Sequence, residues 1–401
     1  MIKKILKLLS GPALGHLITI ALTPYFMYHY SPSIFGIYAF FTAILGVFVS
    51  ISTLRFDAVL LICENQEVSN VIKTACICSL LMSALIASVC LLLGYEFWIY
   101  VFVSLLGLSL QLIVTSIFLR NNKHLHSSLF NFIFIISIPI FQALLTHYNM
   151  VNGLLLGHSL ASLLYLIIVM PILCLSVRCG SKNTNLRNIL YSYKSYYTLN
   201  AGSVFINSVS NQLLPFAIKF IYGVEILGLI NILQRLIITP IGFILRIFIQ
   251  VYNREFSFYL RGGEPQKARL VFIKTIKLTF ICSSITFLIL LAVLFGKTLV
   301  SDIILLSGKF GTWVNVYRYV PIMLLLLAFQ ILVIPVSQSL TFIKKHKLQF
   351  NLELIRLIGL ITISIFSYLM GLTNYYFLFI YVLFQSIIYV CLLHIIFKCT
   401  K

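Results

Sequence analysis

Runs of about twenty apolar residues recur twelve times along this chain, and about twenty is the number an α-helix needs to cross the hydrocarbon core of a bilayer. The first six runs are 8–30, 34–54, 71–93, 98–119, 129–147 and 153–177; the second six are 196–221, 226–252, 271–295, 319–342, 350–370 and 375–397. Of the 401 residues, 61% are apolar and only 9% are charged, whereas soluble domains carry about a quarter charged residues. That balance excludes a water-soluble enzyme, a secreted disulfide scaffold and a disordered chain. Aromatic residues gather at several run ends, as at Tyr25, Tyr28 and Tyr30, at Phe97 and Trp98, and at Tyr375 and Tyr376, the level of the membrane interfaces. Barrel strands would instead alternate in short pieces. The expected fold is an all-α integral membrane protein with about twelve transmembrane helices.

The formal charge of +20 would suggest a nucleic-acid partner in a soluble protein. Here the basic residues alternate with the runs. With the N-terminus inside, 22 of the 29 Lys and Arg fall on the inner side, beginning with Lys3, Lys4 and Lys7 and ending with Lys398 and Lys401. Outer loops hold only Lys297, Lys309 and Arg318. The positive-inside rule therefore places both termini in the cytoplasm, and the charge reads as topology; no nucleic acid is expected. The Lys-rich start followed by an apolar run has the outline of a signal peptide, but the run is too long and lacks a small-residue cleavage site. The nine cysteines lie mainly in runs or at their inner ends and read as small packing residues. Cys76 and Cys78 form only a C-x-C, so neither a metal nor another cofactor is expected.

The Ser-, Asn- and Lys-rich stretch 179–195 divides the chain into halves of six runs each, 1–178 and 196–401. An even number of crossings returns the chain to the same side, so both halves enter from the cytoplasm. Two such bundles are expected to be related by an axis along the membrane normal, with a central cavity between them. The largest outer loop, 296–318, leaves no room for an extramembrane catalytic domain.

Four basic residues fall inside runs: Lys219, Arg235, Arg246 and Arg356. Each would cost about 2.5–3.5 kcal/mol at the bilayer centre, so they should face protein or a wet cavity. Arg235 and Arg246 are eleven residues apart, close to three α-helical turns, which places them on nearly one face. Asn231, Thr239, Gly242 and Gln250 lie near that stripe, and Pro240 can bend the helix. The seventh run adds Asn200, Asn207 and Asn211 at helical spacing, then Gln212 and Lys219. Further polar groups are Gln111 and Thr115 above Arg120, His16, Thr19 and Thr23 before Pro24, and Gln330 and Gln338 around Pro335. For single Asn, Gln and Thr residues, hydrogen bonding between helices accounts for the pattern. Arg235 and Arg246 lack acidic neighbours in sequence, and paired guanidinium groups suit an anion such as phosphate. Arg356 has Glu353 three residues before it, the spacing of an intrahelical salt bridge. His16 and His158 fit packed or hydrogen-bonded histidines better than a proton relay. The acids near the membrane, Asp57, Glu225 and Glu353, sit away from mid-span and leave ion coupling undetermined.

Two stretches carry a family resemblance. The segment 31–61 opens with Pro32, Phe35, Gly36 and Tyr38 and closes with Leu54, Arg55, Phe56, Asp57 and Ala58. The segment 211–251 contains Leu214 and Pro215, then Gly228, Ile230, Arg235 and Pro240, and ends in Gln250 and Val251. In order, spacing and run number these resemble the O-antigen flippases (Wzx-type) of the multidrug/oligosaccharidyl-lipid/polysaccharide exporter superfamily, with Ile230 in place of the family's commoner Tyr. The resemblance implies an undecaprenyl-pyrophosphate-linked oligosaccharide as substrate. It would be moved from the cytoplasmic to the periplasmic leaflet of a bacterial inner membrane by alternating access, in lipopolysaccharide or similar polysaccharide biosynthesis. It further implies membrane lipids, and polysaccharide polymerase and chain-length proteins, as partners. The candidate substrate-binding residues are then Arg235, Arg246, Lys219, Asn207, Asn211, Gln250 and Arg55. Competing readings are a membrane glycosyltransferase or O-antigen polymerase, which usually carries outer-loop acids or a large outer loop, and a multidrug exporter, whose cationic substrates favour buried acids. A flippase for peptidoglycan, teichoic-acid or capsule units shares the same chemistry.

Overall fold

The computed structural model describes residues 2–121, 123–178, 189, 191–194, 196–295, 308–343 and 345–399. These residues are helical almost throughout, and eleven of the helices are long and apolar enough to cross a membrane. A further helix, α1 (Ile2–His29), occupies the first expected run. The contacts group the chain into two compact units, one of Met1–Tyr30 with Ile37–Phe216 and one of Ser31–Gly36 with Ala217–Lys401. Of the expected linker 179–195, only Ile189 and 191–194 are among the described residues, and the expected outer loop is described only from Gly308 onward.

The first unit contains α1, α2 (Pro32–Ser52) from Ile37 onward, a single turn α3 (Phe56–Val59), α4 (Val68–Leu92), α5 (Trp98–Arg120), α6 (His124–His147) and α7 (Gly153–Arg178). A π turn, Tyr196–Asn200, then leads into α8 (Ala201–Tyr222). Helix α6 packs against both α1 and α7, and α5 against α4 and α7. Short turns suffice between spans because left-handed residues stop the helices. At Gly94 (φ +76°) the Tyr95 amide reaches back to the Cys90 carbonyl at 2.9 Å, which satisfies a carbonyl left open at the helix end. Asn149 (φ +55°) does the same after α6, where the Met150 amide bonds to the Leu145 carbonyl at 3.1 Å. One core of this unit is built on Phe56, Leu60, Ile72, Val114 and Tyr165, and Cys76 and Cys78 pack at its edge, as small apolar residues do.

The second unit contains α9 (Val224–Leu233), a π turn at Gln234–Ile238 and α10 (Thr239–Arg261), which run on without a break. There follow α11 (Pro265–Phe295), a 3-10 helix at Gly308–Tyr319, α12 (Val320–Val333), the short turns Ile334–Val336 and α13 (Ser339–Phe342), α14 (His346–Leu369) and α15 (Asn374–Cys399). Helix α11 packs on α10 and α12, and α15 on α12 and α14. Pro335 falls where α12 gives way to a tighter turn, consistent with the amide hydrogen it lacks. One core joins Tyr252, Phe256, Phe272, Leu340 and Ile396, and the Tyr252 hydroxyl satisfies itself on Ser339 Oγ at 2.6 Å. The segment Ser31–Gly36 packs with this unit: Phe35 is fully buried with its ring edge-on to Trp313, 5.2 Å between centroids.

Candidate functional site

The basic residue hardest to place in a membrane belongs to the second unit. Arg235 is only 9% exposed and lies within the π turn between α9 and α10. That turn has a local cause. Pro240 supplies no amide hydrogen and its ring crowds the carbonyl one turn earlier, and a widened turn relieves both. The Thr239 hydroxyl donates to the Gln234 carbonyl at 3.0 Å, the acceptor that the Thr239 amide also uses across the π turn. A π turn inserts an extra residue into the helical repeat. The eleven-residue interval from Arg235 to Arg246 therefore does not equal three α turns here, and the expected shared face, argued for an unbroken α-helix, does not carry over. The side chains of Arg246 and Gln250 lie outside the described residues, although both positions fall within α10.

One turn before Arg235, the side-chain Oδ1 of Asn231 is buried with no hydrogen-bond partner among the described residues. A guanidinium and an open amide acceptor thus stand one turn apart on the same helix, in a stretch of Ile and Leu interrupted by Gln234. Lys219, near the end of α8, has its ammonium 5.4 Å from the centre of the Phe220 ring. Arg356 on α14 is buried, one helical turn after Glu353. The Glu353 carboxylate accepts from Gln349 Nε2 at 3.4 Å. Gln338 accepts from Asn253 Nδ2 at 2.6 Å, which gives it a structural partner within the unit.

The first unit holds amides and hydroxyls. Asn211 Nδ2 donates to Asn207 Oδ1 at 3.2 Å on α8, as their one-turn spacing predicts. Gln212 lies over α2, where a Cβ on Gly46 would come within 2.6 Å of its Nε2. Between α5 and α6, Asn131 Oδ1 accepts from both Gln111 Nε2 at 3.0 Å and Thr115 Oγ1 at 3.1 Å. Sequence reasoning singled out Gln111 and Thr115 but not Asn131, whose only signal was an amide in an apolar run. His158 is buried, hydrogen-bonded to the Tyr38 hydroxyl at 3.2 Å and edge-on to Phe41, the packed histidine the sequence suggested. Thr19 and Thr23 donate to the carbonyls of Gly15 and Thr19, one turn back along α1.

Two basic residues at the end of the first unit have structural partners. Leu54 and Arg55 adopt left-handed backbone, with φ +48° and +65°, in the sharp turn from α2 into α3. Arg55 Nη1 lies 3.6 Å from Asp57 Oδ2, while Asp57 Oδ1 accepts from Thr53 Oγ1 at 2.6 Å. Arg120 folds onto the turn after α3, donating to the carbonyls of Leu60 and Cys63 at 2.6 and 2.7 Å and to Asn65 Oδ1 at 2.7 Å. Its guanidinium closes the end of that turn. Nearby, the Tyr193 hydroxyl donates to Glu67 Oε2 at 2.7 Å. Burial first, and then the Glu67 bond and charge, push that phenol well above its ordinary range, so it remains a donor.

No family model and no curated protein sequence matches the chain. Solved structures do. A multidrug resistance MATE family transporter of the MOP superfamily aligns in an inward-facing conformation with TM-score 0.54 and 15% identity, over 99% of this chain and 93% of that one. An outward-facing conformation of such a transporter aligns with TM-score 0.51 and 15% identity, over 99% and 94%. A MOP superfamily transporter from Pyrococcus furiosus, described as having a binding pocket of reverse polarity that suggests a different function, aligns with TM-score 0.56 and 14% identity, over 100% and 96%. At these identities the likeness is one of fold. The whole chain is thus built on the fold of the multidrug resistance MATE transporters of the MOP superfamily.

Proposed function

We propose that this chain is a flippase, not an enzyme, that carries an undecaprenyl-pyrophosphate-linked oligosaccharide from the cytoplasmic to the periplasmic leaflet of a bacterial inner membrane, with both termini in the cytoplasm. The fold supports transport by alternating access, because related folds are known in inward- and outward-facing forms. The observation that carries the substrate class is Arg235, a buried guanidinium at a π turn within an apolar helix. Such a charge is retained in a membrane where it meets an opposite one, and the planar guanidinium matches phosphate oxygens two at a time. The two units carry different side-chain chemistry. In the second unit Arg235, together with Lys219 and Arg246, suits a pyrophosphate. In the first, Asn207, Asn211 and the Gln111–Thr115–Asn131 cluster offer the mixed donors and acceptors that sugar hydroxyls require. Arg55 and Gln250 complete the proposed set.

The second reading is a multidrug exporter, favoured by the description of the inward- and outward-facing neighbours. The scarcity of acids speaks against it, since nine Asp and Glu serve a chain with 29 Lys and Arg and a cationic drug would meet bases. The Pyrococcus furiosus neighbour indicates that one fold accommodates pockets of differing polarity.

The test is made in cells lacking the gene, by extracting polyprenyl-pyrophosphate-linked sugars and probing for surface polymer. Single repeat units accumulating on the cytoplasmic side, with surface polymer lost, is the expected result. Single units that reach the periplasm unpolymerised would indicate a polymerase. Unchanged lipid-linked sugars with heightened drug sensitivity would indicate the exporter.

A further inference from the structure

We infer that the second unit carries a binding site for an anionic phospholipid in the groove between α11 and α15, with the lipid phosphate held by Lys277 and His394 and an acyl chain lying along α15. The groove has a volume of ≈ 390 Å³ and is walled by Ile273, Ile276, Val390, Leu393 and Phe397, with Lys277 and His394 on its lining. A second groove, between α12 and α15, shares Val390 with it and continues past Ile387 to Leu383. On α15 the positions 383, 387, 390, 394 and 397 follow steps of three and four, so they form one helical stripe. From Leu383 to Phe397 that stripe runs about 21 Å at the α-helical rise, enough to span one leaflet of a bilayer with a hydrocarbon core of about 30 Å.

Charge places the headgroup. After Lys277, helix α11 continues to Phe295 without a charged residue, which is about 27 Å of helix. Before His394, helix α15 is uncharged from Asn374, about 30 Å. Each helix thus reaches one membrane thickness from its polar side chain, and Lys277 and His394 mark the same boundary level. Arg269, two turns before Lys277, has its guanidinium 6.0 Å from the centre of the Phe397 ring, so a second cation stands over the aromatic wall of the groove. Neither helix contains Asp or Glu, while α11 carries Lys267, which pairs with Glu264 just before the helix at 2.8 Å, and Arg269, Lys274 and Lys277, and α15 carries Lys398. The side chains along the stripe remain open, with Leu383, Ile387 and Val390 at 43–50% exposure. An apolar channel capped by cations at interface level is complementary to a lipid with a phosphate headgroup and a net negative charge. The imidazole of His394 donates a hydrogen bond to phosphate whether neutral or protonated.

The experiment titrates the full chain, purified in detergent, with dioleoyl phosphatidylglycerol or dioleoyl phosphatidylcholine and counts retained lipids by native mass spectrometry. Phosphatidylglycerol is expected to be retained in preference to phosphatidylcholine. Lys277→Ala and Arg269→Ala should each weaken that retention about fivefold, the effect of one basic residue near an anionic headgroup. Arg254→Ala, which removes an exposed charge of α10 away from the groove, should leave it unchanged. Val390→Trp, which fills the groove, should abolish retention with both cations intact, and lipid-free melting temperatures check that each variant folds. Equal retention of the two lipids, equal losses for Lys277→Ala and Arg254→Ala, or full retention by Val390→Trp would each overturn the site. Inorganic phosphate reproducing the Lys277-dependent effect on melting would make it a free-anion site and remove the lipid.

Discussion

Gly36 and Gly228 meet backbone to backbone within the second unit. A Cβ on Gly36 would run into the Val224 carbonyl and a Cβ on Gly228 into the Pro32 carbonyl, so the first turn of α2 and helix α9 approach as closely as two helices can. Both residues belong to the two stretches that carry the family resemblance. The fold brings those stretches together, with Phe35 buried beside the contact.

Because the obstructing atoms are main-chain carbonyls, the contact cannot relax by turning a side chain. Gly36→Ala and Gly228→Ala should each destabilise the protein by about 2–3 kcal/mol, at the upper end for overpacking. Gly202→Ala, at a position with no atom within 4 Å of the added Cβ, should be neutral or slightly stabilising. Thermal unfolding in detergent checks this, and equal melting temperatures for the three variants would show that the approach is looser than described.

Arg235→Ala should reduce flipping by about ten- to a hundredfold, the worth of one hydrogen bond to a charged group. Arg235→Lys should retain part of the activity, because it keeps the charge and loses the planar fork. Arg246→Ala should likewise lower flipping more than Arg246→Lys. Transport of a fluorescent polyprenyl-pyrophosphate sugar into proteoliposomes measures both pairs, and wild-type rates in the Ala variants would remove the residue concerned from the substrate site.

Asn131→Ala separates binding from packing. It deletes the acceptor shared by Gln111 and Thr115, yet each hydrogen bond between membrane helices is worth only about 0.6 kcal/mol. Stability should fall by about 1 kcal/mol, while flipping falls severalfold if the cluster meets sugar hydroxyls. A large loss of stability with normal flipping of the remaining folded protein would assign the cluster to packing.

Arg120→Gln predicts the opposite pattern. The guanidinium holds two carbonyls and the Asn65 side chain, and Gln cannot reach all three. Stability should drop by about 2–3 kcal/mol, from lost charge-assisted bonds to acceptors that stay partly buried. The apparent substrate affinity of the folded fraction should be unchanged, and a shifted affinity at unchanged melting temperature would move Arg120 into the binding site.

The sequence by itself determined where the long helices run. Each expected run coincides with helix, since a run of about twenty apolar residues has no other way to satisfy its backbone in lipid, and the basic residues mark one set of helix ends. It also disclosed which polar residues need an account, Arg235 above all, because the cost of a charge in hydrocarbon is a local property. The partners of those residues were decided by tertiary structure. Asn131 joins Gln111 from another helix, Arg120 turns back onto a loop some sixty positions earlier, and Gly36 finds Gly228, none of which follows a helical period. Even the face of Arg235 was not legible, because the phase of a helix depends on whether Pro240 is absorbed by a kink or by a π turn. Hydrophobic length acts along the chain and can be read there; packing, hydrogen-bond pairing and helical phase arise between segments, and exist only once the chain has folded.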